Sequence, residues 1–218
     1  MAVGSTFLTL TNDVLSRLRE SSVTAVSAND YSTLVGKFVN EAKREVEDAW
    51  NWNRLRTTIT VNTVADSYNY TLTGGGKRFR VIDAWNDTDD LQLTMMGMNQ
   101  LNQRFYLGSA TKGSPSQYGF NANSDLDPTV DVWPIPNAVF ALRFNLTVPQ
   151  TDLSADTDEL KIQEMPVILG AWAKAISERG EDGGQNTSEA YLLYQQAVAD
   201  AISQDAAIAP DETIWTAV

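Results

Sequence analysis

The chain has no histidine and no cysteine among its 218 residues. The commonest general base, the soft metal ligands and the thiol nucleophile are therefore missing together. A Ser-His-Asp or Cys-His mechanism is excluded by composition, and so is any disulfide. Positive charge is scarce: 16 Lys and Arg stand against 28 Asp and Glu, giving a net charge of −12. Affinity for nucleic-acid phosphate comes from Lys and Arg displacing counterions, so sequence-specific DNA binding is disfavoured. No stretch approaches the ~20 apolar residues that span a bilayer. Met1-Ala2-Val3-Gly4-Ser5 also lacks the basic start and apolar core of a signal peptide. The expectation is a soluble protein made in the cytoplasm, with no membrane partner.

What is present is patterned structure. Hydrophobic residues make up 43% and charged ones 20%, an ordinary globular balance. Phe7, Leu10, Val14, Leu15 and Leu18 recur at helical spacing and predict a helix from Thr6 to Glu20. A second helix follows Asp30, read as its N-cap. Tyr31, Leu34, Val35, Phe38, Val39, Ala42, Val46, Ala49 and Trp50 form its apolar stripe. Lys37, Asn40, Glu41, Lys43, Arg44, Glu45, Glu47 and Asp48 fall on the other face, which reads as solvated, with a subunit contact as the alternative. The helix ends in a Trp-Asn-Trp-Asn knot, Trp50 to Asn53.

From Arg54 the texture becomes that of strands. Thr57 to Val64, Tyr68 to Leu72, Arg78 to Trp85 and Leu91 to Met95 alternate or are β-branched. Asn99 to Leu107 reads as a short helix or turn. Ser114 to Asn121 reads as an edge strand after a proline, and Thr129 to Trp133 and Phe140 to Val148 as two more strands. Pro134 and Pro136 in the connector between these two argue against a regular ladder there. After Pro149 the chain turns polar. It is then helical from Gln163 to Glu178, apolar nearly all round its first half, and stopped at Gly180. Asn186 with Glu189 resembles a capping box for a last helix, with Tyr191, Tyr194, Ala197, Val198, Ala201 and Ile202 on one face.

The fold class is therefore α+β: a helical bundle from the N- and C-terminal helices, with a central antiparallel β unit, a small sandwich, inserted. The expected parts are residues 1–54 (N-terminal helices), 55–150 (β insert), 151–205 (helices completing the bundle) and 206–218 (an extended tail).

Few groups invite chemistry. Gly74-Gly75-Gly76-Lys77 lacks phosphate-loop spacing and sits between strands, so it reads as a mobile hairpin tip. Asp125, Asp127 and Asp131 offer hard oxygens, but without the glycine and terminal Glu of an EF-hand. Asp87, Asp89 and Asp90, and Asp156, Asp158 and Glu159, suit turns as well as metals. No catalytic, cofactor or metal site is expected. Paired carboxylates alone can hydrolyse glycosides, so a carboxylate-dependent cell-wall hydrolase is the alternative. Trp50, Trp52, Trp85, Trp133 and Trp172 read as core. Trp215, with Ile214 and Val218, lies where a tail without a role would be polar, and reads as a partner anchor, with a folded-back lid as the alternative.

Several stretches resemble one family: Thr6 to Glu20, Phe38 to Trp52, Arg78-Phe79-Arg80-Val81-Ile82-Asp83, Val130 to Pro136, and Leu142-Arg143-Phe144-Asn145. They run in order through most of the chain and resemble the head–tail adaptors (connectors, or tail tubular proteins) of short-tailed bacteriophages. That resemblance implies a structural virion protein and no enzyme. It implies a homo-oligomeric ring of twelve copies below the portal, which extends the DNA channel. Tail nozzle and fibres would dock below, and genomic DNA would pass through without sequence-specific binding. Assembly would take place in the host cytoplasm, with Ile214, Trp215 and Val218 reaching the portal.

Overall fold

Residues far apart in the sequence fold together here. A computed structural model describes residues 5–107, 111–121, 126–180 and 185–208. The chain up to Leu55 and from Gln150 onward forms one unit, and Arg56–Pro149 forms another. The described helices are α1 (Phe7–Arg17), α2 (Asp30–Ala49), α3 (Met98–Tyr106), α4 (Glu164–Arg179) and α5 (Gln185–Ile208). The strands are β1 (Arg56–Asn62), β2 (Asn69–Thr71), β3 (Arg80–Asn86), β4 (Leu91–Gln92), β5 (Thr94–Met95), β6 (Lys112–Gly113), β7 (Gln117–Asn121), β8 (Thr129–Trp133), β9 (Ile135–Pro136) and β10 (Ala141–Thr147). The class is α+β, with terminal helices flanking a β region.

In the helical unit α1, α2 and α5 all pack on α4. This is why the first half of α4 is apolar nearly all round: Pro166 to Ala171 are buried without a break. Leu10, Val14, Val35, Val39, Ala42, Val46, Val167 and Ala171 are fully buried at the centre. The helices cross closely at Gly170, where an added Cβ would lie 3.0 Å from Ala42 Cβ and 3.0 Å from the Tyr194 ring. Gly180, at φ +64, ends α4 in the left-handed conformation.

Two helix starts differ from the sequence reading. The N-cap of α2 is Asn29, not Asp30. Asn29 Oδ1 accepts from Ser32 N at 2.7 Å, and Ser32 Oγ accepts from Asn29 N at 3.2 Å. This reciprocal box satisfies two donors at once, while Asp30 adds negative charge to the first turn. Helix α5 already includes Gln185, so Asn186 is inside it rather than its cap. Tyr191 is also 52% exposed. The buried side of α5 is Ala190, Tyr194 and Ala201, with Asp205 below them.

In the β unit, one sheet has the order β1-β10-β3-β4 and a second β2-β8-β7-β5. Their inner faces share one core, including Leu72, Tyr118, Val130, Val132, Leu142, Phe144 and Leu146. Tyr118 meets Phe144 edge to face at 5.6 Å. The strand expected over Leu91 to Met95 divides between the sheets: β4 pairs with β3, and β5 with β7. Leu93 between them is buried in the core, which forces the crossing. Because β5 pairs with it, β7 is not the edge strand its proline suggested. The proline-rich connector also takes part, as β9 pairs with β6. Only the Ile135 N–H is needed there, and it donates to Thr111 O at 3.0 Å. These two contacts are parallel, so the second sheet is mixed and the β6-β9 pair parallel, while the first sheet is antiparallel throughout.

Candidate interaction sites

The polar groups buried in the helical unit hold the fold. Lys43 and Glu47, assigned by pattern to the solvated face, have no exposed side-chain surface and pair at 3.2 Å. Lys43 Nζ also donates to Gln150 O at 2.8 Å and Thr151 O at 3.1 Å, and Glu47 accepts from Gln150 N at 3.1 Å. The pair thus fixes the segment that returns from β10 to the helices. Asn40 adds to this, exchanging two hydrogen bonds with the Leu153 main chain at 2.9 and 2.8 Å.

The Trp-Asn-Trp-Asn knot is held in the same way. Trp52 is buried, and its Nε1 donates to Val46 O at 2.8 Å. Asp205 of α5 accepts from Trp50 Nε1 at 3.2 Å, Asn53 N at 3.0 Å and Asn53 Nδ2 at 3.1 Å. The motif therefore joins the end of α2 to the end of α5. Trp133 is also buried, and Trp50, Trp85 and Trp172 are half-buried.

The outer side of α5 is apolar where solvent meets it: Tyr191, Leu192 and Leu193 are 52%, 64% and 47% exposed. Ile208, the last described residue of the helix, lines a groove with Trp52, Leu160, Ile162 and Met165. A second groove beside α5 is lined by Glu45, Lys174, Tyr191 and Tyr194. Lys174 bridges Glu45 at 2.7 Å and Glu41 at 3.7 Å. Burial first, and then Glu45, pushes the Tyr194 phenol up to about 12. An unfolded tyrosine titrates near 10. The unfolded chain therefore loses this proton first, and stability should fall between about pH 10 and 12. Urea unfolding of Tyr194→Phe should lose less stability than wild type between pH 9.5 and 11.5. An equal loss in both would remove Tyr194 as a source.

The metal and phosphate candidates suggested by the sequence are engaged elsewhere. Asp127 Oδ1 accepts from Gly74 N and Gly76 N, both at 3.1 Å. Gly75 packs on Pro128, where an added Cβ would come within 2.8 Å. The glycine turn is thus tied to its own carboxylate rather than presenting free N–H groups. Asp131 is buried and accepts from Asn69 and Asn121. Asp125 lies outside the described residues. Asp156 accepts from Val26 N at 3.0 Å. The Ser154 and Ala155 N–H groups hold the Asp158 carboxyl below its usual range. Among the described residues no group of three or more candidate ligands comes together, and no helix is long and apolar enough to cross a membrane. Ile214, Trp215 and Val218 lie outside the described residues.

The family model for SU10 adaptor protein matches residues 5–213 of the chain. That span takes in both units. No curated protein matches it.

Proposed function

The chain belongs to the SU10 adaptor family, a phage head–tail adaptor family, and is a structural component of the virion; on that premise we propose that it forms a ring below the portal. The observation that carries this reading is the extent of the match, which runs through the helical unit, the β insert and the return to the helices. Twelve copies extend the DNA channel, in contacts that repeat head to tail until the rotation closes. The net charge of −12 suits such a channel, because a surface that repels phosphate lets DNA slide rather than stick. The ring offers its lower side to the tail nozzle and fibres. It acts by shape, without a catalytic group.

The tail anchors the ring to the portal. It carries Ile214, Trp215 and Val218, and it follows α5, whose exposed apolar residues end at Ile208. Removing everything after Pro210 should leave the melting temperature within about 2 °C of wild type, since the tail carries no periodic apolar pattern and a change outside the core stays within ~0.5 kcal/mol. The same truncation should abolish capture by the portal. Full capture by the truncated chain would remove the anchor role, and a large loss of melting temperature would show that the tail belongs to the fold.

A further inference from the structure

β10 is an inner strand of the first sheet. Its last residue, Thr147, pairs with Arg56 of β1 on one side and Arg80 of β3 on the other. Leu146 is buried in the core, so strand alternation places Thr147 and its two neighbours on the outer face. Directly opposed residues lie ~5 Å apart, so two arginines flank one hydroxyl. Thr147 is only 3% exposed, yet its Oγ1 has no hydrogen-bond partner. A buried hydroxyl without a partner is costly. Set between two cations, it suits the oxygen of an anion.

The adjoining row does not supply that oxygen. Thr58 Oγ1 donates to Asn145 Oδ1 at 2.8 Å, and Asn145 Nδ2 donates to Asp83. Arg80 has another partner within the chain, and a guanidinium with five N–H donors can serve both.

The other end of the same sheet is acidic. β1 and β3 run in the same direction, both antiparallel to β10, so they begin together at Arg56 and Arg80. The turn Asp87-Thr88-Asp89-Asp90 leaves the far end of β3, and all four residues are exposed. It is held in one shape: Asn86 Oδ1 accepts from Thr88 N at 3.1 Å, and Thr88 Oγ1 accepts from Ala141 N at 2.9 Å. Arg143 pairs with Asp87 at 3.0 Å, and Ser114 donates to Asp89. Asp90 stands at φ +53. Seven residues of strand separate the two ends by roughly 23 Å.

We propose that the Arg56–Thr147–Arg80 row receives the Asp87–Asp90 turn of a second copy of this chain. A carboxylate of the turn bridges the two exposed guanidinium groups above Thr147. The two complementary surfaces lie at opposite ends of one sheet. Used from copy to copy in one direction, such a contact is heterologous, which is what a closed ring requires. The proposal rests on the ring reading above and names the contact that builds it.

Two charge reversals test it, using the full chain assembled on its portal and counted by electron microscopy. Arg56→Glu/Arg80→Glu and Asp89→Lys/Asp90→Lys should each lose ring formation at least ten-fold. An equimolar mixture of the two should restore it, because each reversed row then meets a reversed turn. Normal rings from either variant alone would overturn the proposal. So would a mixture that fails while circular dichroism shows both variants folded. Normal assembly by Asp89→Lys/Asp90→Lys with loss only in the arginine variant would assign the row to another anion, such as a DNA phosphate. A wild-type chain that forms no ring would overturn the ring reading itself, and this contact with it.

Discussion

Lys43→Met will destabilise the helical unit by about 3–5 kcal/mol, the cost of removing one partner from a buried ion pair. The change removes the cation that pairs with the buried Glu47 carboxylate at 3.2 Å. It also takes a donor away from the carbonyls of Gln150 and Thr151. Removing both charges, in Lys43→Met/Glu47→Leu, separates two roles of the pair. Isosteric apolar replacement of a buried ion pair is often neutral or stabilising. Here the main-chain groups at Gln150 and Thr151 would lose these partners, so the double variant should recover only part of the loss. Urea denaturation of the three proteins measures this. A Lys43→Met protein within 1 kcal/mol of wild type would show that the pair does not hold the return crossing. Full recovery in the double variant would show that only the stranded charge mattered.

Trp215→Ala should weaken portal binding by about 2 kcal/mol or more, the scale of an aromatic hot spot, or roughly thirty-fold in affinity. The folded chain should be unaffected, because Trp215 falls in a stretch with no periodic apolar pattern. Surface-bound portal titrated with wild type and variant gives the ratio directly. Superimposable binding curves would contradict the anchor role. A parallel loss of melting temperature would place Trp215 in the fold instead.

How far the fold could be read from the sequence depended on where each residue's partners lie. α2 was legible because Val35, Val39, Ala42 and Val46 repeat at helical spacing and are all fully buried. The same periodicity misplaced Lys43 and Glu47. Their burial comes from Gln150 and Thr151, more than a hundred positions away, and no local pattern carries that. Asn29 was missed as the cap of α2 because the favourable Asp30 stands beside it. The signal was the Ser three residues on, which completes the box. β7 looked like an edge strand because its covering neighbour, β5, is only two residues long and pairs in parallel. The Trp-Asn-Trp-Asn knot was visible as a motif, but Asp205 as its acceptor was not, since α5 reaches it only in the folded chain. The Arg56–Thr147–Arg80 row is likewise a product of strand register. The sequence shows Arg56 beside Arg54, and Arg80 beside Lys77 and Arg78, as two short basic stretches that read as solvated, and nothing in Thr147 marks it as unpaired. The family resemblance was legible because its segments are spread through both units in order.

The adaptor reading is tested most directly by co-sedimenting this chain with the portal from the same genome and imaging the product by electron microscopy. The expected result is a ring stacked beneath the portal, with one copy of the chain per portal subunit. A chain that stays monomeric at high concentration and does not sediment with the portal would contradict it.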